Sequence, residues 1–309
     1  MTPDDTKPPC VHLDEIIRTL LDVWPEHEKF VRASFKDVTA ESMKFSDDVA
    51  QLALVLMDDK VKETASDYRW MCEMLMEERL YFVRHKKYRC ASIQEAQDAV
   101  YSNRAFMSRY VNGLLFSQIF WRNHAQAIEI FRIRFLPNNR HMYQHLEVGP
   151  GHGLFLVFAA RDERCRSLTA WDLSPSSMES TKRALRKMDV GREVSLQMRD
   201  VVGTEPPNEE FDSIICSEVL EHTGDPERAL DNMYKALRPG GRIFLNVPVN
   251  SPAPDHIYLW RRPEDVCAMI GEHRFVIDDF IELPPTGRTL PQARKQDLDI
   301  SCVAIAHKS

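Results

Sequence analysis

The chain has 309 residues, 43% of them hydrophobic, which is room for one large domain or two modest ones around a buried core. A formal net charge of -7 and a sequence pI near 5.9 leave no overall positive field for phosphate backbones or anionic lipid, and so argue against a nucleic-acid substrate. Seven scattered cysteines, an odd number with no C-x-x-C pair, suit a reducing compartment. The start MTPDDTKPPC has acids and prolines where a signal peptide needs a basic and then an apolar stretch, and no run approaches the roughly 20 apolar residues of a membrane span. The expectation is a cytoplasmic protein with no membrane partner.

In chain order, apolar residues recur at helical spacing over 13–23, 47–57, 66–84, 92–101 and 104–134, so residues 1–135 are expected to form a helical N-terminal cap. Ser92 with Glu95 makes the S-x-x-E pattern of a capping box and marks one helix start. Phe106, Tyr110, Leu114, Ser117 and Trp121 fall on one face of the last segment, where such a stripe is ordinarily core. The basic run Arg84-His85-Lys86-Lys87-Tyr88-Arg89 reads as a solvated helix end. Its functional alternative is a docking surface for an acidic carrier protein or a phosphate-bearing acceptor.

Leu136-Pro137-Asn138-Asn139 breaks the helical texture. Strands are then expected at 144–148, 167–171, 194–198, 212–216, 242–247, 274–282 and 300–306, with helices between the first five. The last two have no helical pattern between them and are expected to be antiparallel neighbours. The fold class is therefore α/β: a doubly wound, mainly parallel seven-stranded sheet with an antiparallel last strand, over residues 136–309.

His145-Leu146-Glu147-Val148-Gly149-Pro150-Gly151-His152-Gly153 is a strand ending in three closely spaced glycines, where backbone can approach a ligand and a following helix offers free N–H groups. The dinucleotide fingerprint would need glycine at Leu154, so a dehydrogenase fits less well. Asp172 ends the next strand, about 20 residues on, where a carboxylate can accept both ribose hydroxyls. Asp200 follows the third strand, placed to accept from an adenine amino group while Val201 donates its N–H.

These residues, in order over 144–250, resemble the class I S-adenosylmethionine-dependent methyltransferases. The glycine turn is similar to the family's first motif, with Glu147 at its acidic position. Phe211-Asp212-Ser213-Ile214-Ile215-Cys216-Ser217-Glu218 is similar to the fourth-strand motif, and Leu237-Arg238-Pro239-Gly240-Gly241-Arg242 to the turn before the fifth strand. The resemblance implies S-adenosyl-L-methionine as cofactor, bound by Glu147, Gly149, Gly151, Gly153, Asp172, Leu173, Asp200, Val201 and Ser217. His152 would reach the cofactor carboxylate. N-terminal helices in this family tend to cover the crevice, so the aromatic stripe could instead wall an acceptor pocket, with Tyr110, Asn123 or His124 as polar contacts.

Methyl transfer from a sulfonium is an in-line displacement, so the protein mainly positions the nucleophile, excludes water and removes a proton where needed. If Ser217-Glu218-Val219-Leu220-Glu221-His222 starts a helix, Glu218, Glu221 and His222 share one face. With His256 they form a candidate Mg2+ site, a pattern that resembles magnesium-dependent O-methyltransferases of ubiquinone synthesis and of small-RNA 2′-ends. Without metal, His256 or His222 would act as general base, with Glu218 beside them. The expected enzyme O-methylates a small molecule in biosynthetic or secondary metabolism. Its alternatives are C- or N-methylation of a natural-product or carrier-bound intermediate, and a non-catalytic cofactor-binding module. Candidate partners are the small-molecule acceptor, a carrier protein and a second copy in a homodimer.

Overall fold

The computed structural model describes residues 10–309, and the proline-rich start at 1–9 lies outside the described residues. As far as Asn138 the chain is helical: α1 (Val11–Val23), α2 (Glu28–Ser34), α3 (Ala40–Met57), α4 (Val61–His85), α5 (Ile93–Ala96), α6 (Arg104–Phe120) and α7 (Arg122–Ile130), followed by a π-turn at Phe131–Phe135 and a 3-10 turn at Leu136–Asn138. The helical pattern over 104–134 is interrupted at Trp121, whose backbone is extended (φ -88, ψ 116). Its indole Nε1 donates to the Tyr68 hydroxyl at 3.0 Å. Segment 92–101 is one α turn running into a π-turn, Gln97–Tyr101. Ser92 Oγ accepts from Glu95 N at 3.2 Å, while the Glu95 carboxylate reaches Ala91 N, one residue earlier than a strict capping box. The short α2 has too few apolar positions to show in the pattern.

The sheet comprises β1 (Tyr143–Val148), β2 (Cys165–Asp172), β3 (Val194–Met198), β4 (Phe211–Ser217), β5 (Leu237–Val249), β6 (Phe275–Leu283) and β7 (Ile300–Lys308), in the order β3-β2-β1-β4-β5-β7-β6. Only β7 runs antiparallel to its neighbours. The accompanying helices are α8 (Leu154–Arg161), α9 (Pro175–Lys187), α10 (Pro226–Ala236), α11 (Pro263–Glu272) and α12 (Leu290–Lys295). Two expectations are corrected. No helix joins β3 to β4: Pro206 and Pro207 lie in that connection, and its turn is held by Asn232 Nδ2 donating to Val201 O at 2.7 Å. A short helix, α12, does lie between β6 and β7, started by a Thr289–Gln292 capping box.

One sheet face shares a continuous apolar core with the helical half, from Leu13 of α1 to Phe244 of β5, through an edge-to-face cluster of Phe131, Phe135, Phe155 and Phe244. The other face packs Trp171, Ile214 and Leu245 against α10 and α11. Strand order reverses between β1 and β4, so the crevice of a doubly wound sheet opens at their carboxyl ends. No described helix is long and apolar enough to cross a membrane.

Candidate active site

The turn after β1 has three left-handed glycines, Gly149 (φ +70), Gly151 (φ +53) and Gly153 (φ +80). A Cβ at Gly149 would collide with Val219 Cγ2, whereas one at Gly151 would meet nothing within 4 Å. Gly151 therefore borders open crevice, a cradle a side chain would fill. His152 Nδ1 accepts from Leu154 N at 3.1 Å, so its proton sits on Nε2, and burial pushes its pKa down to about 4. At neutral pH it is a neutral donor beside the turn.

Asp172 closes β2 with Oδ1 accepting from Ser174 N at 2.8 Å and Oδ2 from the Ser177 hydroxyl. These bonds offset part of the burial that raises its pKa. They also hold the start of α9, which Ser174 caps. Leu173 beside it is 58% exposed. Asp200 Oδ1 accepts from Val202 N at 2.8 Å, and Val201 is buried in the same turn. Glu147 is buried with Oε2 unpartnered, and burial, followed by the charge of Asp172, pushes it well above the ordinary carboxylate range. Ser217 Oγ accepts from Asn246 Nδ2 at 3.2 Å. The glycines and both aspartates thus sit at the carboxyl ends of adjacent parallel strands.

Beyond β4 the chain does not start an α-helix. Glu218 has φ +54 and donates its N–H to Asn246 O at 2.8 Å, and only Leu220–His222 forms a 3-10 turn. Glu218, Glu221 and His222 therefore do not share one helical face, and the side chains converge in another way. Glu221, His222 and His256 each offer a ligand atom, and these atoms lie within 4.8 Å of one another. Glu221 O accepts from Ile257 N and Tyr258 N at 2.8 and 3.0 Å, which pins the His256 loop to the turn. Glu218 lies alongside Glu221 rather than within that trio; burial and then neighbouring carboxylate charge raise the pKa of both.

The histidine tautomers follow from their neighbours. His256 Nδ1 is 2.6 Å from Ser251 O, and His222 Nδ1 is 3.2 Å from Asp255 O. A carbonyl can only accept, so each Nδ1 carries the proton and each Nε2 keeps its lone pair. Those Nε2 atoms lie 4.0 and 3.8 Å from Glu221 Oε1. Glu221 is fully buried, and neither of its oxygens has a hydrogen-bond partner among the described residues. Two lone pairs facing an unpartnered carboxylate suit a cation between them.

The helical half supplies groups that spacing did not suggest. Tyr101 at the end of the π-turn donates to Asp255 Oδ2 at 3.0 Å, its oxygen 3.2 Å from His222 Nδ1. Tyr110 is buried near Asp255. Part of the basic run is an internal anchor: the Tyr88 hydroxyl accepts from Ser251 N at 3.1 Å, and Arg89 pairs with Glu78 at 2.9 Å. Arg84, His85 and Lys87 remain exposed. Asn123 Nδ2 donates to Ser301 Oγ, and His124 Nδ1 lies beside Ser117 Oγ, both at 2.9 Å.

A methyltransferase-domain family model matches residues 120–276, more than half of the chain. The chain belongs to the methyltransferase-domain family. The match begins at the end of α6 and runs into β6, so it takes in the whole crevice. Over 126 residues this methyltransferase-family chain is 33% identical to a ubiquinone biosynthesis O-methyltransferase of Idiomarina loihiensis, covering 37% of the chain and 49% of that relative. The enzyme of the same name from Xylella fastidiosa is 34% identical over 104 residues, 33% of the chain and 40% of the relative. The chain thus spans about half or less of the length of these curated relatives. Among solved structures, the [4+2]-cyclase SpnF superposes with a TM-score of 0.49 at 17% identity, covering 60% of this chain and 81% of that one. The N-methyltransferase NodS of Bradyrhizobium japonicum gives 0.44 at 20% identity, over 60% and 93%.

Proposed function

We propose that the protein is an S-adenosylmethionine-dependent O-methyltransferase of a small hydroxylated acceptor, with a divalent cation held by Glu221, His222 and His256 and supported by Glu218. The observation that carries this reading is the pair of Nε2 lone pairs directed at a fully buried carboxylate without partners. The donor set of imidazole and carboxylate suits a first-row dication or Mg2+. When bound, such a cation supplies Lewis acidity that holds and acidifies an acceptor hydroxyl. The O-methylation reading also draws on the ubiquinone biosynthesis O-methyltransferases among the relatives.

The cofactor would lie over Gly151, where the cradle is open, with its ribose toward Asp172 and its adenine between Leu173 and the Asp200–Val201 turn. His152 Nε2–H is a neutral donor for the cofactor carboxylate. Ser217 and Glu147 complete the crevice wall. His256, whose pKa burial lowers to about 3, is a weak proton acceptor, so the reading gives it the role of ligand before that of base. The helical half, residues 1–135, would serve as the cap that excludes water from this centre.

Labelled S-adenosylmethionine offered with a panel of small phenolic and aliphatic alcohols tests the reading, before and after exhaustive chelation and with Mg2+ or Mn2+ restored. Metal-restored transfer to oxygen is expected. Transfer that survives chelation in full removes the cation, and a chain with no affinity for S-adenosylhomocysteine removes the cofactor.

A further inference from the structure

We infer that Asp255, together with the Tyr101 hydroxyl brought in by the cap, is a positioning pair that locks His222 with its Nε2 lone pair facing Glu221; the inference rests on the metal site proposed above. The Nδ1–H of His222 faces three oxygens: Asp255 O at 3.2 Å, Asp255 Oδ2 at 3.3 Å and the Tyr101 hydroxyl at 3.2 Å. The Tyr101 proton is committed to Asp255 Oδ2 at 3.0 Å, so its oxygen meets the imidazole as an acceptor. No donor competes for Nδ1, and the ring can hold only one tautomer. Asp255 is 2% exposed and Tyr101 lies 154 positions earlier in the chain, so the arrangement exists only when the cap is docked. A π-turn, Gln97–Tyr101, delivers the phenol, a local geometry that often marks functional positions.

His256 has no comparable device. Its Nδ1 is held by Ser251 O alone, and its ring is steadied by edge contact with Tyr88 at 5.8 Å. The two histidines are thus oriented differently, His222 by the π-turn and His256 by Ser251 of its own loop with Tyr88 from the segment after α4 against its ring. A carboxylate behind an imidazole both fixes the ring and raises its basicity as a ligand, and losing such a group typically weakens metal binding by roughly 10- to 100-fold.

The test titrates the full chain with Mn2+ alone, reading free Mn2+ by electron paramagnetic resonance without cofactor or acceptor, for the parent, Asp255→Asn and Tyr101→Phe. Imidazole 1H–15N correlation spectra of the same proteins without metal report the His222 tautomer, assigned by its loss in His222→Gln. Weakening of roughly 10- to 100-fold is expected for Asp255→Asn and a smaller loss for Tyr101→Phe, with the His222 signal moving from one tautomer to a mixture. Parent-like affinity and a single tautomer in both variants overturn the positioning role and leave the metal site standing. A parent that binds no Mn2+ overturns the metal site, and this inference with it.

Discussion

Asp172 and Glu221 are both buried carboxylates, yet they face opposite accounts. Asp172 is satisfied by Ser174 N and the Ser177 hydroxyl, so it holds its geometry before any ligand arrives. Asp172→Ala is expected to weaken S-adenosylhomocysteine binding by about 1–3 kcal/mol in calorimetry, the usual result of leaving buried hydroxyls without a partner. Unchanged affinity would remove Asp172 from the site. Glu221 is unsatisfied, and because burial raises its pKa the folded, metal-free protein keeps a proton there that the unfolded chain loses above about pH 4.5, so its contribution to stability falls as pH rises through that point. In Glu221→Gln the amide N–H groups can donate to the two Nε2 lone pairs. The chelated variant should therefore be more stable than the chelated parent by about 1–3 kcal/mol in unfolding free energy, and should no longer be stabilised by added Mg2+. A chelated variant less stable than the chelated parent would contradict that account of Glu221. Glu221, His222 and His256 were legible in the sequence because chemistry-bearing types cluster there. Asp255 and Tyr101 were not, since a tautomer lock across 154 positions leaves no spacing to read.

At the level of elements, the glycine turn separates two demands that a motif runs together. Gly149 is needed by the fold, because any side chain there strikes Val219, whereas Gly151 borders open space and answers only to its φ of +53 and to the ligand. Gly151→Ala should cost the fold about 1–2 kcal/mol for the left-handed backbone, yet reduce cofactor affinity further by filling the cradle. Gly149→Ala should fail first by denaturant unfolding. If Gly151→Ala binds S-adenosylhomocysteine as tightly as the parent, the cofactor does not lie over Gly151. The strands were readable because β1, β4 and β5 are buried runs and the glycine-rich breaks punctuate them. The connections were less so. Pro206 and Pro207 unmake the helix expected after β3, and the turn after β4 is bent by Glu218 at positive φ, a backbone state the residue type does not announce.

Across the whole molecule, the helical half and the sheet share one packed core, and the polar groups sealed between their layers make stability depend on protonation. How the helical half docks was not legible in the sequence, because Tyr88, Arg79 and Cys90 meet the loop after β5 through contacts to backbone oxygens and N–H groups that no periodicity encodes. His145 of β1 shows the consequence away from the crevice chemistry. It is fully buried, its Nδ1 lies 2.9 Å from Ser213 Oγ, its Nε2 has no partner, and burial lowers its pKa to about 3. In the unfolded chain the same group titrates near 6.5. Between these values the unfolded state holds a proton that the folded state lacks, so the contribution of His145 to stability is present above pH 6.5 and is lost as pH falls toward 3. His145→Gln can keep a bond to Ser213 and has nothing to titrate. The difference in unfolding free energy between parent and variant should therefore change by about 1.4 kcal/mol per pH unit between roughly pH 5.5 and 4, the parent losing ground as acid is added. Because the two proteins share every other titrating group, including the buried carboxylates whose raised pKa values act in the opposite sense, their difference isolates this one proton. Parallel stability curves for the two proteins across that window would mean that His145 is already charged, or already wet, in the folded chain.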